Sequence, residues 1–245
     1  MKKSHTRFAL PILLSAVFLS HAAHAVTPTD LGSLGGQQTD HVEGISISTD
    51  GSVIVGYSYN GQVDHAFKYT KSAGMVDLGD LGSNANPLLN TSNVIIVNGT
   101  SSDGSVIAGT SYNGTRNHAF KYTDATGMVD LGALGANANP LLNTNNSSAI
   151  STITADGSVL VGFSYNGTRS HAFKYTDATG MVDLGALGAN ANPLLNTNNT
   201  SSTDNMTADG SVIVGRSYNG SADHAFKYTD ATGMVDLGAL GANAN

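Results

Sequence analysis

The sequence predicts an all-β protein of tandem four-stranded antiparallel modules, β-propeller-like, with an open β-module array as the alternative. Three observations carry this prediction. The segment HAFKYT occurs four times, and His65, His118, His171 and His224 recur at one constant interval. Within each period, β-prone runs are separated by Asp-Gly and Asn-Gly pairs, which tolerate the left-handed conformations that tight hairpins need. No segment after Ala25 has a helical apolar period. A repeat of about 50 residues fits a propeller blade or a large solenoid unit.

The elements follow in chain order. Residues 1–25 read as a secretory signal: a basic start (MKKSHTR), an apolar run (FALPILLSAVFLS) and small residues in AHA at 23–25, so that the mature chain starts at Val26. The apolar run is short for an uncleaved membrane anchor, and no later segment is apolar enough to span a membrane as a helix. Removal of Lys2, Lys3 and Arg7 leaves 8 basic against 18 acidic residues, taking the net charge from −7 to −10. A negative chain without basic patches excludes nucleic acid and anionic head groups as partners. Cysteine is absent, so no disulfide can form in an oxidising compartment.

Residues 26–42 hold a leading strand and connector, with TDLGSLGG at 29–36 echoing the ends of later modules. Module 1 covers 43–93, module 2 94–146, module 3 147–199, and module 4 200–245, which ends within a connector. In module 1, GISIST leads through Asp50-Gly51 to SVIVGYSY, through Asn60-Gly61 to HAFKYT, and through KSAG to MVDLG. Three hairpins in succession make a four-stranded meander. SVIVG, SVIAG and SVLVG are nearly continuously apolar, as expected of strands covered on both faces. One such meander cannot bury both faces alone and must stack on its neighbours. The connectors of LGANANPLLNTNN type are expected to run extended between modules, with PLL against a sheet edge.

DGSVIVG, HAF followed by KYT, and GMVDLGALG together resemble the HAF extracellular repeat family, over nearly all of 29–245. The family usually has Arg-Trp after HAF, where this chain has Lys-Tyr. The resemblance implies an exported bacterial repeat protein, secreted or at the cell surface, often an autotransporter passenger. Translocator barrels found in autotransporter relatives are not seen in this sequence.

Candidate sites can then be weighed. A ring of four histidines around a channel could hold a metal, but no second ligand class is evident at a constant offset, so they read as strand residues. Asp50, Asp103, Asp156 and Asp209, with the VDLG aspartates, read as turn and strand-end chemistry and not as calcium ligands. Neither a dinucleotide nor a phosphate-binding loop is present, and no cofactor is expected. Glu43 is the only glutamate, so no repeated carboxylate pair serves glycoside hydrolysis, and no catalytic residue is expected.

Modules two to four share HAFKYTDATGMVDLGALGANAN letter for letter. The copies differ at Tyr57, Thr110, Phe163 and Arg216, in the loops 62–64, 115–117, 168–170 and 221–223, and along the first strand. Such tolerance predicts exposed positions, and the first four form the candidate interaction surface. The expected function is presentation of a binding or adhesion surface to an unknown protein or glycan. An extracytoplasmic propeller enzyme acting at a channel mouth and a purely structural passenger stalk are the alternatives.

Overall fold

The computed structural model describes residues 29–35, 41–82, 95–135, 146–188 and 199–238. The signal-type segment, the prolines Pro87, Pro140 and Pro193, and the PLL motifs lie outside the described residues. Among the described residues, sixteen strands form four separate antiparallel sheets, each a meander in sequence order. The first holds β1 (Val42–Ile47), β2 (Val53–Tyr59), β3 (Asp64–Thr70) and β4 (Gly74–Gly79); the second β5 (Ile95–Thr100), β6 (Val106–Tyr112), β7 (Asn117–Thr123) and β8 (Gly127–Asp130). The third holds β9 (Ser148–Ile153), β10 (Leu160–Tyr165), β11 (Ser170–Thr176) and β12 (Gly180–Asp183); the fourth β13 (Ser201–Met206), β14 (Ile213–Tyr218), β15 (Asp223–Thr229) and β16 (Gly233–Gly238). No helix occurs among the described residues, so none is long and apolar enough to cross a membrane.

Of the stretch expected to hold a leading strand and connector, residues 29–35 are described and carry no strand; the Leu34 amide donates to Ser58 Oγ at 3.1 Å. The same contact recurs between modules, with Leu81 donating to Ser111, Leu134 to Ser164 and Leu187 to Ser217. The leading LGSLG segment thus stands in for the tail of a preceding module.

The hairpins are set by the expected turns. Asp50 Oδ1 accepts from Ser48 Oγ, the Ser52 amide and Ser52 Oγ at 2.7–2.9 Å, while Gly51 takes a φ of 72°. These donors hold the Asp50 carboxyl down at about 2, the Ser48 hydroxyl foremost. Asn60 Oδ1 caps the next turn by accepting from the Gln62 and Val63 amides. Both are side chains folding back on the local backbone, the reason these residue types favour turns.

Each sheet has one β-bulge between its first and second strands, at Gly44/Ser46, Val97/Gly99, Val161/Gly162 and Thr203/Asn205. The bulge brings backbone close to the glycine of the VG or AG pair. A Cβ on Gly56 would lie 1.9 Å from the Glu43 carbonyl oxygen and 2.9 Å from the Phe67 ring, which belongs to its cross-strand partner. Gly109, Gly162 and Gly215 repeat the arrangement with Phe120, Phe173 and Phe226.

The cores lie between modules. Val53, Val55 and Ala66 of the first sheet cluster with Ile95, Val97, Ile107 and Phe120 of the second. Ala108 and Ala119 of the second cluster with Ile150, Leu160 and Phe173 of the third, and Val161 and Ala172 of the third with Ile213 and Phe226 of the fourth. Each of the first three sheets therefore has a back face (Val53, Val55, Ala66 and their counterparts) turned to its successor. Its front face carries the phenylalanine. Burying one phenylalanine contributes about 2–3 kcal/mol, so the joints supply much of the stability. First strands β1, β5, β9 and β13 pack successively against one another, as in propeller blades. At the Asp-Gly ends the Thr49 amide donates to the Ser102 carbonyl, and the Ser102 amide to the Ala155 carbonyl, at 2.8 and 2.6 Å.

This stacking divides the varied first strands. Ile95, Val97, Ile150, Ser201 and Thr203 are buried, because in modules 2 to 4 this strand lies against its neighbours. Ile96, Asp204 and Asn205 are exposed, as is most of β1.

Candidate functional site

Two arrangements have the makings of a site. The first is built around the repeated histidine. His118 Nδ1 lies 2.8 Å from Asp130 Oδ1, and its Nε2 lies 2.8 Å from the Asn146 carbonyl oxygen. Asn113, at the head of the preceding turn, places its amide nitrogen 3.0 Å from His118 Nδ1 and 3.1 Å from Asp130 Oδ2. His171 repeats this with Asp183, Asn166 and the Asn199 carbonyl. His65 pairs with Asp77 and Asn60, and His224 with Asp236 and Asn219. Each aspartate also accepts from a glycine amide just beyond it, at 2.7 Å.

A constant partner therefore does exist, contrary to the sequence reading: the VDLG carboxylate, at one fixed offset after each histidine. Antiparallel pairing of the third and fourth strands brings it there. Burial disfavours the charged form of His118, but the Asp130 carboxylate and the Asn146 carbonyl outweigh it and raise its pKa above the ordinary value. Asp130 is affected in the opposite sense: burial would raise it, yet the His118, Asn113 and Gly132 hydrogen bonds hold it low. With an acceptor at each nitrogen, His118 is suited to the imidazolium form, which has no lone pair to offer a metal. No group of potential metal ligands occurs among the described residues.

Serine completes a suggestive trio. Ser58, Ser111, Ser164 and Ser217 are the cross-strand partners of the four histidines. A hydrolytic triad needs the imidazole Nε2 against an accessible serine Oγ. Here all four serines are buried and each Oγ accepts a leucine amide. In modules 2 and 3, moreover, Nε2 is directed to a backbone carbonyl. The arrangement ties a turn, two strands and the next module together, and is unsuited to nucleophilic attack.

The second arrangement is a groove of about 270 Å³ where modules 3 and 4 meet, lined by Phe163, Ser170, Ser201, Ser202, Arg216 and Asp223 among others. It brings together two of the four candidate interaction residues. Phe163 is 40% exposed, and Arg216, also exposed, donates from Nε to Ser202 Oγ at 3.2 Å. Loop residues Ser170 and Asp223 belong to the varied stretches at 168–170 and 221–223. The groove thus offers an aromatic face, a cation, an anion and hydroxyls side by side.

The other two candidates lie elsewhere. Tyr57 is half-buried: its ring stands 5.4 Å from that of His41 and its hydroxyl donates to Glu43, a bond that, with burial, pushes the phenol up to about 12. Thr110 corrects the expectation of exposure. It is buried at the joint between modules 2 and 3, and its Oγ1 accepts from the Ile150 amide at 3.2 Å. All four positions lie on back faces, so their exposure depends on how closely the next module approaches. That distance is not written in the residue itself.

The sequence reading also missed a row of ion pairs across the joints. Lys68 reaches Asp124, Lys121 reaches Asp177, and Lys174 reaches Asp230, at 2.7–2.8 Å. The visible signal was the constant interval between the lysine of one HAFKYT and the aspartate that follows the next.

No protein-family model and no curated sequence matches the chain. Among solved structures it is similar to TolB from Acinetobacter baumannii, at 15% identity and a TM-score of 0.49 over 80% of this chain and 43% of that one. A putative TolB from Agrobacterium tumefaciens gives 12% identity and a TM-score of 0.46, over 82% of this chain and 62% of that one. A prolyl endopeptidase gives 8% identity and a TM-score of 0.48, over 80% of this chain and 27% of that one. The chain spans less than two thirds of the length of each. Likenesses of this degree add nothing to what its own strands and joints establish.

Proposed function

We propose that this chain is an extracytoplasmic repeat protein of the HAF kind that binds a protein or glycan surface and carries out no catalysis. The observation that carries the reading is the meeting of Phe163 and Arg216, divergent between otherwise near-identical modules, in one open groove with Ser170 and Asp223. Aromatic and arginine side chains dominate recognition surfaces because they bury much area and donate several hydrogen bonds at little entropic cost. Engagement of the repeated serines and histidines in the fold supports the non-catalytic part. Location outside the cytoplasm rests on the signal-type segment at 1–25 and the absence of cysteine.

A glycan array and a binding assay on intact bacterial and epithelial cells, both using the labelled mature chain, test the proposal. Binding that falls at least about tenfold in Arg216→Ala and Phe163→Thr, the latter copying module 2, supports it. Binding unchanged in both variants, or turnover of an array glycan, would sink it.

A further inference from the structure

An Asn-Gly pair heads the second turn of every module, at Asn60-Gly61, Asn113-Gly114, Asn166-Gly167 and Asn219-Gly220. Glycine has no side chain to shield its nitrogen, so that nitrogen can attack the carboxamide carbon of the asparagine before it. The glycine nitrogen gives up its proton and bonds to Cγ, the Cγ–Nδ2 bond breaks, and Nδ2 takes up a proton and leaves as ammonia. Water then opens the resulting succinimide at either carbonyl, giving aspartate or isoaspartate. Attack requires the carboxamide to turn its carbon toward the glycine nitrogen, so bonds that fix the carboxamide elsewhere slow it.

The four turns fix it unequally. Asn113 Oδ1 accepts from the Thr115 and Arg116 amides at 3.0 Å and from the Thr115 hydroxyl at 2.8 Å, and Nδ2 donates to Asp130 at 3.1 Å. Asn166 repeats this with the Thr168 amide and hydroxyl, the Arg169 amide and Asp183. Asn219 Oδ1 has the Ser221 amide and hydroxyl and the Ala222 amide. Module 1 has Gln62 where the others have a hydroxyl. Among the described residues, Asn60 Oδ1 therefore keeps only the Gln62 and Val63 amides, at 2.9 and 3.0 Å. Its Nδ2 rests against the His65 ring at 3.1 Å.

We infer that Asn60 is a site of self-modification, the first of the four to pass through a succinimide to aspartate or isoaspartate. The hydroxyl two residues beyond each later asparagine delays the other three. Aspartate at position 60 still caps the turn, as the carboxamide does. Isoaspartate lengthens the main chain by a carbon between β2 and β3 and works against the pairing of Tyr59 with Asp64.

The test follows the mature wild-type chain, Gln62→Thr and Thr115→Gln over time in warm neutral buffer, both folded and in urea, by peptide mapping. The flanking loops differ, so each turn gives its own peptide, and fragmentation separates aspartate from isoaspartate. In folded wild type, Asn60 should convert faster than Asn113 by about fivefold, the weight of one hydrogen bond. Gln62→Thr should slow Asn60 by about fivefold and Thr115→Gln should speed Asn113 by as much, with Asn166 unchanged in both as the internal clock. Both substitutions fall on exposed loop residues, and circular dichroism checks that the sheets persist. In urea the four turns should convert alike. Asn60 converting no faster than Asn113 in folded wild type, or both rates unmoved by the two exchanges, overturns the inference. So does the same order of rates persisting in urea, which would trace it to flanking sequence and not to the fold.

Discussion

The Phe120 ring lies across the Cα of Gly109, its cross-strand partner, so closely that a methyl group on Gly109 would fall 2.6 Å from the ring and 2.2 Å from the Ile96 carbonyl oxygen. Backbone and ring both stand in the way, so neither can yield alone. Gly109→Ala is expected to destabilise the protein by about 3 kcal/mol, at the upper end for overpacking in a filled interior. Gly127→Ala, where the added carbon meets nothing within 4 Å but φ is +67°, should cost only about 1 kcal/mol. Urea unfolding of both variants checks the order, and equal costs would contradict the packing argument.

Removing the histidine takes one donor from Asp130, which keeps the Gly132 amide and Asn113, and takes the imidazole donor from the Asn146 carbonyl. His118→Ala is expected to cost about 1–3 kcal/mol, the penalty for unsatisfied, partly buried polar groups. Denaturant midpoints measured beside those of the double variant His118→Ala/Asp130→Ala check this. The double variant should recover part of the loss, because the half-buried carboxylate that has lost its cation goes too.

The same pair sets a pH window. The pKa of His118 is raised, so its contribution is complete below the ordinary histidine value and is lost as pH rises through the raised one. The pKa of Asp130 is lowered, so its contribution is complete above the ordinary carboxylate value and is lost as pH falls through the lowered one. Stability from this pair is therefore greatest in mildly acidic solution. Unfolding free energies from about pH 3 to about pH 9 should decline on the alkaline side in wild type, and less so in His118→Asn.

The lysine–aspartate pairs should contribute little one by one. The Asp177 side chain is largely exposed although that of Lys121 is mostly covered. Lys121→Met is therefore expected to cost about 0.5–1 kcal/mol. Exchange of the two residues, Lys121→Asp with Asp177→Lys, should restore most of it. Thermal unfolding at low and at high salt separates the charge effect from lost packing of the lysine stem.

Thr110 provides a check on burial at the joints. Thr110→Val removes the acceptor of the Ile150 amide without changing shape and is expected to cost about 1–2 kcal/mol. Amide exchange of Ile150 should speed up relative to Ile107, which is fully buried in the neighbouring strand. Unchanged exchange would mean that the hydroxyl is dispensable.

The hairpins and the four-sheet architecture were legible because they depend on neighbours in sequence: Asp50, Asn60 and Gly74 each act within a few residues of themselves. The joints were less so. Thr110, Phe163 and Tyr57 occupy one register position, and nothing local shows that the first is buried and the second open. The Asp77, Asp130, Asp183 and Asp236 offsets could have been read beside the histidines, but only strand pairing gives that spacing its meaning. Phe163 and Arg216 were singled out for their divergence, and the groove joining them follows from the stacking of modules 3 and 4.

Because each apolar cluster spans two sheets, half of every joint is written in one repeat and the complementary half in the next. A single repeat unit thus contains both halves. Recombination that slips by one unit adds or deletes a whole joint in register and needs no compensating substitution. Copy number can then change in one genetic step. Lys71, which stands where the later modules have Asp124, Asp177 and Asp230, is the feature such an event cannot duplicate without losing a lysine–aspartate pair.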